Sequence, residues 1–182
     1  MKKLLLTFVY LPLLAISCQR STPPAKPEQT KGNNMLKITS SAFEANQPIP
    51  QKYTCQGENI NPDLKIDGVP ANIKSLALIL HDPDAPIEGG FTHWVMWNIP
   101  AQTSQIAENS VPEEAVQGKN GAGKNNYISP CPPTGVHRYY FYLYALDANL
   151  NLPAATDKAG LEAAMQGHII EQGELMGTYQ KE

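Results

Sequence analysis

The segment DPDAPIEGGFTH, Asp82 to His93, separates two apolar runs, SLALILH before it and WVMWNIP after it. Both runs read as buried strands, because each is short, apolar and bounded by breaker residues. Pro83 and Pro86 fix their own φ and push Asp82 and Ala85 out of helical space. A Gly-Gly pair follows, and His93 then leads into an aromatic strand. Such a corner is stiff enough to hold a carboxylate still. Its plainer reading is a hairpin connection made of common turn residues.

The chain opens with the layout of an export signal, MKKLLLTFVYLPLLAISC. Lys2 and Lys3 precede an apolar core, Leu4 to Ile16, that is interrupted by Pro12 and falls short of the about 20 residues a membrane span needs. Ala15-Ile16-Ser17-Cys18 resembles a bacterial lipobox, in which residues 1–17 are removed and Cys18 becomes the lipidated first residue. Ordinary secretion with a free cysteine is the alternative. An acyl chain contributes about 0.8 kcal/mol per buried methylene, so several chains on one residue anchor firmly. Residues 18–34 then form the lipidated cysteine and a polar, proline-containing tether that cannot bury enough surface to fold. Gln19 after the cysteine points to the outer membrane by enterobacterial sorting habits. The expected location is therefore the periplasmic side of the bacterial cell envelope.

Residues 35–182 make one domain, long enough for a real core. The net charge of −3 offers no basic patch for nucleic acid. Sixteen prolines and thirteen glycines in the chain, with short apolar runs between them, favour an all-β fold. Cys55 and Cys131 are the cysteines left after Cys18. In an exported protein such a pair can form a disulfide; two sequence-distant cysteines can equally stay buried thiols.

SLALILHD suits a strand buried on both faces. In FTHWVMWNIP, strict alternation puts His93, Val95, Trp97 and Ile99 on one face and Thr92, Trp94, Met96 and Asn98 on the other. VQGKNGAGKNN matches the GxxxxGK spacing of a phosphate loop at Gly118, Gly123 and Lys124, but Asn125 stands where Ser or Thr should bind magnesium. No apolar strand precedes it and no helix follows, so it is rejected as a nucleotide site. YISPCPPTGVHRYYFYLYALD repeats the first device: a proline-rich turn delivers His137 onto an aromatic strand. Alternation groups His137, Tyr139, Phe141 and Leu143 there. If the two strand mouths meet, they enclose two imidazoles, a phenol and a carboxylate in an apolar wall, a small-ligand site. Imidazoles titrating near pH 6.5 would donate to an anion, more strongly as pH falls.

DPDAP, FTHWVMWNIP and SPCPPTGVHRY together resemble the phosphatidylethanolamine-binding protein family, in its bacterial and archaeal, Raf-kinase-inhibitor-like branch. KYTCQGENINPDL and LEAAMQGHIIEQGELMGTY extend the resemblance over nearly all of residues 35–179. It implies a mainly β fold, an antiparallel β-sandwich with a few peripheral helices, one of them near the C-terminus. It also implies an anion pocket lined by Asp82, Pro86, His93, Pro132, His137 and Tyr139. Asp82 would fix a histidine tautomer or take the ammonium of a ligand such as phosphoethanolamine. Asn126 and Ser129 replace glycines usual in the branch, which raises the question of whether positive φ is needed there.

The leading expectation is a non-catalytic binding module for a small anion or phospholipid head group, needing no cofactor and no metal. Next comes an interaction protein inhibiting an envelope enzyme such as a protease. Kinase inhibition does not carry over to an exported lipoprotein. A metal-dependent hydrolase ranks third, since His93, His137 and a carboxylate imitate a two-histidine, one-carboxylate set. Against it, the chain has neither HExxH nor GxSxG. Finally, DKAGLEAAMQGHIIEQG places Leu161, Ala164, Met165 and Ile169 at helical spacing, as a helix running to Gly173. The family analogy puts this segment near the pocket mouth.

Overall fold

The computed structural model describes residues 35–182. The expected signal peptide (1–17) and the lipidated cysteine and tether (18–34) lie outside the described residues. In chain order the elements are β1 (Lys37–Thr39), a 3-10 turn (Gln51–Tyr53), β2 (Leu64–Asp67), β3 (Ser75–Asp82), β4 (Phe91–Pro100), β5 (Gln105–Ile106), β6 (Val116–Gln117), β7 (Val136–Leu146), α1 (Lys158–Met165) and β8 (Ile169–Gln180).

These strands form a three-stranded sheet, β1-β2-β5, and a five-stranded sheet, β6-β4-β3-β7-β8. All pairings between them are antiparallel. The continuous apolar run of β3 is explained by its central place, since all eight of its residues are buried. Leu76, Leu78 and Leu80 join Ile38, Leu64, Ile66 and Phe141 in the core between the sheets. Ala77 and Ile79 face the opposite way and pack with Val95, Trp97 and, from α1, Leu161 and Met165. Each fully buried Leu or Ile contributes about 1.5–3 kcal/mol relative to exposure. The result is a β-sandwich with α1 on its outer face.

Strict alternation fails in β4, and the failure places the histidine. Leu80 pairs with Trp94 but His81 pairs with Thr92, so His93 is an extra residue in the ladder. A second irregularity lies between the pairs Leu76–Ile99 and Leu78–Met96, where Asn98 has φ 55°. The side chain of Asn98 bonds both the N–H and the carbonyl of Leu150. Consequently Trp94, Met96 and Ile99 share the inter-sheet core while Val95 and Trp97 face α1. The expected grouping of His93 with Val95 and Trp97 is corrected, because two bulges each shift the facing by one residue. On β7, by contrast, His137, Tyr139, Phe141 and Leu143 are buried together as alternation requires.

The C-terminal helix is shorter than its apolar spacing suggests. Asp157 caps it, its carboxylate accepting from the N–H of Gly160 at 2.9 Å. It ends at Met165, because Gly167 takes φ +81° and turns the chain. From Ile169 the chain is strand, paired with β7 as far as Gln180–Val136. Ile169 belongs to β8 and not to the helical face, and is 41% exposed. No α1 residue lines the cavity described below.

Cys55 and Cys131 are joined by a disulfide, with their Cα atoms 5.3 Å apart. The bridge ties the loop after the 3-10 turn to the segment leading into β7, beside a backbone bond from Cys55 N–H to the Pro130 carbonyl at 3.0 Å. Its partners are 76 residues apart in sequence. Chain-entropy arithmetic for such a loop gives about 4 kcal/mol, or roughly 10 °C in Tm for a domain of this size. Thermal unfolding with and without reductant should differ by that amount. An unchanged midpoint, with both thiols shown free by mass spectrometry, would contradict it.

Candidate functional site

The corner after β3 is held by its own acids. The Asp82 carboxylate accepts from the Asp84 N–H at 2.9 Å through Oδ1, and from His137 Nδ1 at 2.8 Å through Oδ2. Asp84 accepts from Arg138 three times: from its backbone N–H and Nε at 2.9 Å and from Nη2 at 2.6 Å. The guanidinium holds the Asp84 carboxyl down at about 2. Two neighbouring acids thus grip two neighbouring bases at the start of β7. Gly90 closes the turn at φ +72°, where a Cβ would lie 2.4 Å from the Asp82 carbonyl oxygen. No side chain fits there.

His93 is locked from the other side. Its Nδ1 lies 2.8 Å from the Ile128 carbonyl oxygen, and the Ile128 N–H donates back to the His93 carbonyl at 3.0 Å. A carbonyl only accepts, so Nδ1 carries the proton and Nε2 is the acceptor of the neutral ring. Phe91 and Tyr139 meet the ring edge-on, with centroids at 4.8 and 5.3 Å. Burial pushes the imidazole down to about 4, against the opposing pull of the Ile128 carbonyl and the Asp82 charge. With Nδ1 spent on the Ile128 carbonyl, a buried, neutral His93 has a lone pair at Nε2, so donating from that nitrogen to an anion requires the ring to be protonated first.

The Tyr139 hydroxyl is fully buried with no hydrogen-bond partner. Burial, then the negative charge of Asp82, push this phenol up. It is held as a neutral O–H.

Asp82 and His93 border a cavity of about 260 Å³ lined also by Ala85, Pro86, Ile87, Phe91, Ile128, Ser129, Cys131 and Pro133. Of the residues singled out in sequence, Asp82, Pro86 and His93 are in this wall. His137 stands behind Asp82, bonded to it, and Tyr139 lies against the His93 ring. Pro132 is buried within its loop, and its neighbours Cys131 and Pro133 form the wall. Phe91 and Ile87 were not singled out in sequence, although the first is an aromatic two residues before the histidine and the second an apolar residue on the corner. Ile128 gave no signal, because it acts through its backbone. Among the described residues, no group of three or more His, Cys, Asp or Glu side chains is arranged to hold a metal ion.

The loop that supplies Ile128 is the one with the phosphate-loop spacing. Asn120, 5% exposed, accepts from the N–H groups of Ala122 and Lys124 and donates to the Asn126 carbonyl. Asn125 donates to the carbonyls of Gln117 and Ala154. The asparagines therefore shape the loop and bring Ile128 to His93. Neither Asn126 nor Ser129 has positive φ, so the two replacements for glycine need no strained backbone. Ser129 is held by its N–H, which donates to Asn59 Oδ1 at 2.9 Å.

A neutral buried His93 links stability to pH. Its proton affinity is depressed in the folded state, so the unfolded chain takes up a proton first as pH falls. The resulting stability is fully present above pH 6.5 and is lost as pH falls through about 4. The amount is about 3 kcal/mol. Imidazole NMR should give a His93 midpoint near 4 in the free protein; a midpoint near 6.5 would refute the burial account.

The family model for phosphatidylethanolamine-binding protein matches residues 39–180. A UPF0098 protein of Pyrococcus horikoshii is 49% identical over 154 residues, covering 80% of this chain and 77% of the relative. A UPF0098 protein of Chlamydia trachomatis is 47% identical over 151 residues, covering 81% and 100%. The crystal structure of a putative phosphatidylethanolamine-binding protein homologue from Chlamydia trachomatis superposes with a TM-score of 0.79 at 47% identity, covering 82% of this chain and 99% of that one. The E. coli protein YbcL, described as a new member of the mammalian family, gives a TM-score of 0.76 at 28% identity over 81% and 99%. On sequence and fold alike, the chain belongs to the phosphatidylethanolamine-binding protein family.

Proposed function

We propose that the domain binds a small anion or a phospholipid head group without converting it, at an envelope membrane to which lipidated Cys18 tethers it. The observation carrying this reading is the cavity itself. An apolar wall surrounds one carboxylate and one imidazole, with a second imidazole bonded behind the carboxylate. At about 260 Å³ the cavity has room for a small head group. In this reading Asp82 receives an ammonium or hydroxyl proton, and Tyr139 backs the His93 ring from behind the wall. The family name points to the same class of ligand.

A second reading, an inhibitor of an envelope enzyme such as a protease, draws on exposed apolar residues. Ile87, in the cavity wall, is 56% exposed, and Val136, next to His137, is 59% exposed. Apolar groups of this kind suit a protein partner as well as a lipid surface.

Phosphoethanolamine added to the protein should shift the His93 and His137 imidazole signals together. His137→Ala should weaken that binding about tenfold, as loss of the group that orients Asp82. Silence of both imidazoles toward phosphate and phosphoethanolamine would remove this reading and favour the inhibitor. In a bacterial host, palmitate labelling should mark the protein and vanish in Cys18→Ala. Labelling that persists, or is absent from the unaltered chain, would sink the tether.

A further inference from the structure

A second cavity, of about 280 Å³, shares a wall segment with the first. Asn126 and Tyr127 line it, while the next two residues, Ile128 and Ser129, line the cavity beside His93. On β4 the same division holds, with Trp94 in the second wall and His93 in the first. No Asp, Glu, Lys, Arg or His is among the lining residues of the second cavity. Amides dominate its polar lining, and internal bonds fix their orientation. Asn59 Oδ1 accepts from the Ser129 N–H at 2.9 Å, and Gln117 Oε1 from the Trp94 indole N–H at 2.8 Å. Asn126 Oδ1 accepts from Asn120 Nδ2 at 3.2 Å. With these oxygens spent, the amide nitrogens of Asn59, Gln117 and Asn126 are left without a partner among the described residues. Asn61 has both ends of its amide engaged, whereas the Asn109 side chain has neither. The hydroxyls of Ser110 and Tyr127 donate to the carbonyls of Ala107 and Tyr53.

Such a lining offers neutral N–H donors and no counter-charge. A cation would meet donor hydrogens. An anion would gain no opposite charge, and Glu58 adjoins Asn59 in the chain. A polyol brings several protons of its own, for which three of the four available amides keep no acceptor. A secondary amide fits this set. Its carbonyl takes the N–H donors, its single N–H has the Asn109 oxygen as acceptor, and Ile60 and Val111 supply apolar contact for its acyl group. We propose that this second cavity binds an uncharged secondary amide, as carried by an N-acylated amino sugar or a capped amino acid.

The indole N–H of Trp94 reports on this site directly, because it is bonded to Gln117 in the same wall. N-acetylglucosamine and N-acetylalanine methylamide, titrated separately into the protein, should shift that signal saturably in nitrogen-resolved NMR. The tighter of the two identifies the source of the amide. Gln117→Glu keeps an oxygen for the Trp94 N–H but removes the donor, and should weaken binding at least about tenfold. Asn109→Gly suits the φ of 50° at that position and should weaken it about fivefold. Unchanged affinity in both variants would contradict the proposal. Glucose and acetate, which lack the amide, should leave the indole signal in place; binding of either as tight as that of the amides would overturn the amide requirement. An indole signal unmoved by both amides would overturn the site. Excess phosphoethanolamine should not displace the amide, and displacement would place the amide beside His93 and remove the case for a separate site.

Discussion

The buried hydrogen bond between His137 Nδ1 and Asp82 Oδ2 is the contact on which the site depends. It spans the turn after β3 and the first residues of β7, and its two side chains are only 8% and 4% exposed. Taking such a pair out of water costs several kcal/mol, which is recovered only with good geometry and further bonds. Both conditions hold: the distance is 2.8 Å, and Asp82 also accepts the Asp84 N–H. The neighbouring Asp84–Arg138 pair repeats the link at the surface, where water screens it. The inner pair orients the site; the outer one closes the seam.

A second lock is backbone-made. His93 and Ile128 exchange two hydrogen bonds, one from the ring and one from the chain. This fixes the tautomer without any second charge, and burial keeps the ring neutral. The bulge at His93 makes the exchange feasible by adding a residue to β4 where the loop runs alongside. The disulfide at Cys131 then pins the far wall of the same cavity. Three independent constraints therefore converge on one small volume and hold its walls in place.

Much of this was legible in the sequence. The continuous apolar run of β3 announced a central strand, and the alternation of β7 placed His137 and Tyr139 correctly. The two proline-rich corners marked the two strand mouths that meet. What escaped was governed by backbone geometry. The facing of β4 depends on bulges at His93 and Asn98, and no side-chain periodicity encodes those. The helix boundary was set by Gly167 and by the pairing of β8 with β7, which overrode an apolar spacing that happened to run on to Ile169. The tautomer of His93 follows from the Ile128 backbone carbonyl, which no side-chain pattern announces. The glycine-rich loop looked like a phosphate loop in spacing only; its asparagines spend their amides on backbone carbonyls of the loop and of Ala154 beside it.

The central claim is that Asp82 and His137 act as one unit. A double-mutant cycle of Asp82→Asn and His137→Gln, read by unfolding free energy, tests it most directly. A coupling of about 1–3 kcal/mol between the two changes is the expected result for contacting residues in one buried network. Additivity within about 0.5 kcal/mol would contradict it, and would leave the two side chains as neighbours with no joint role.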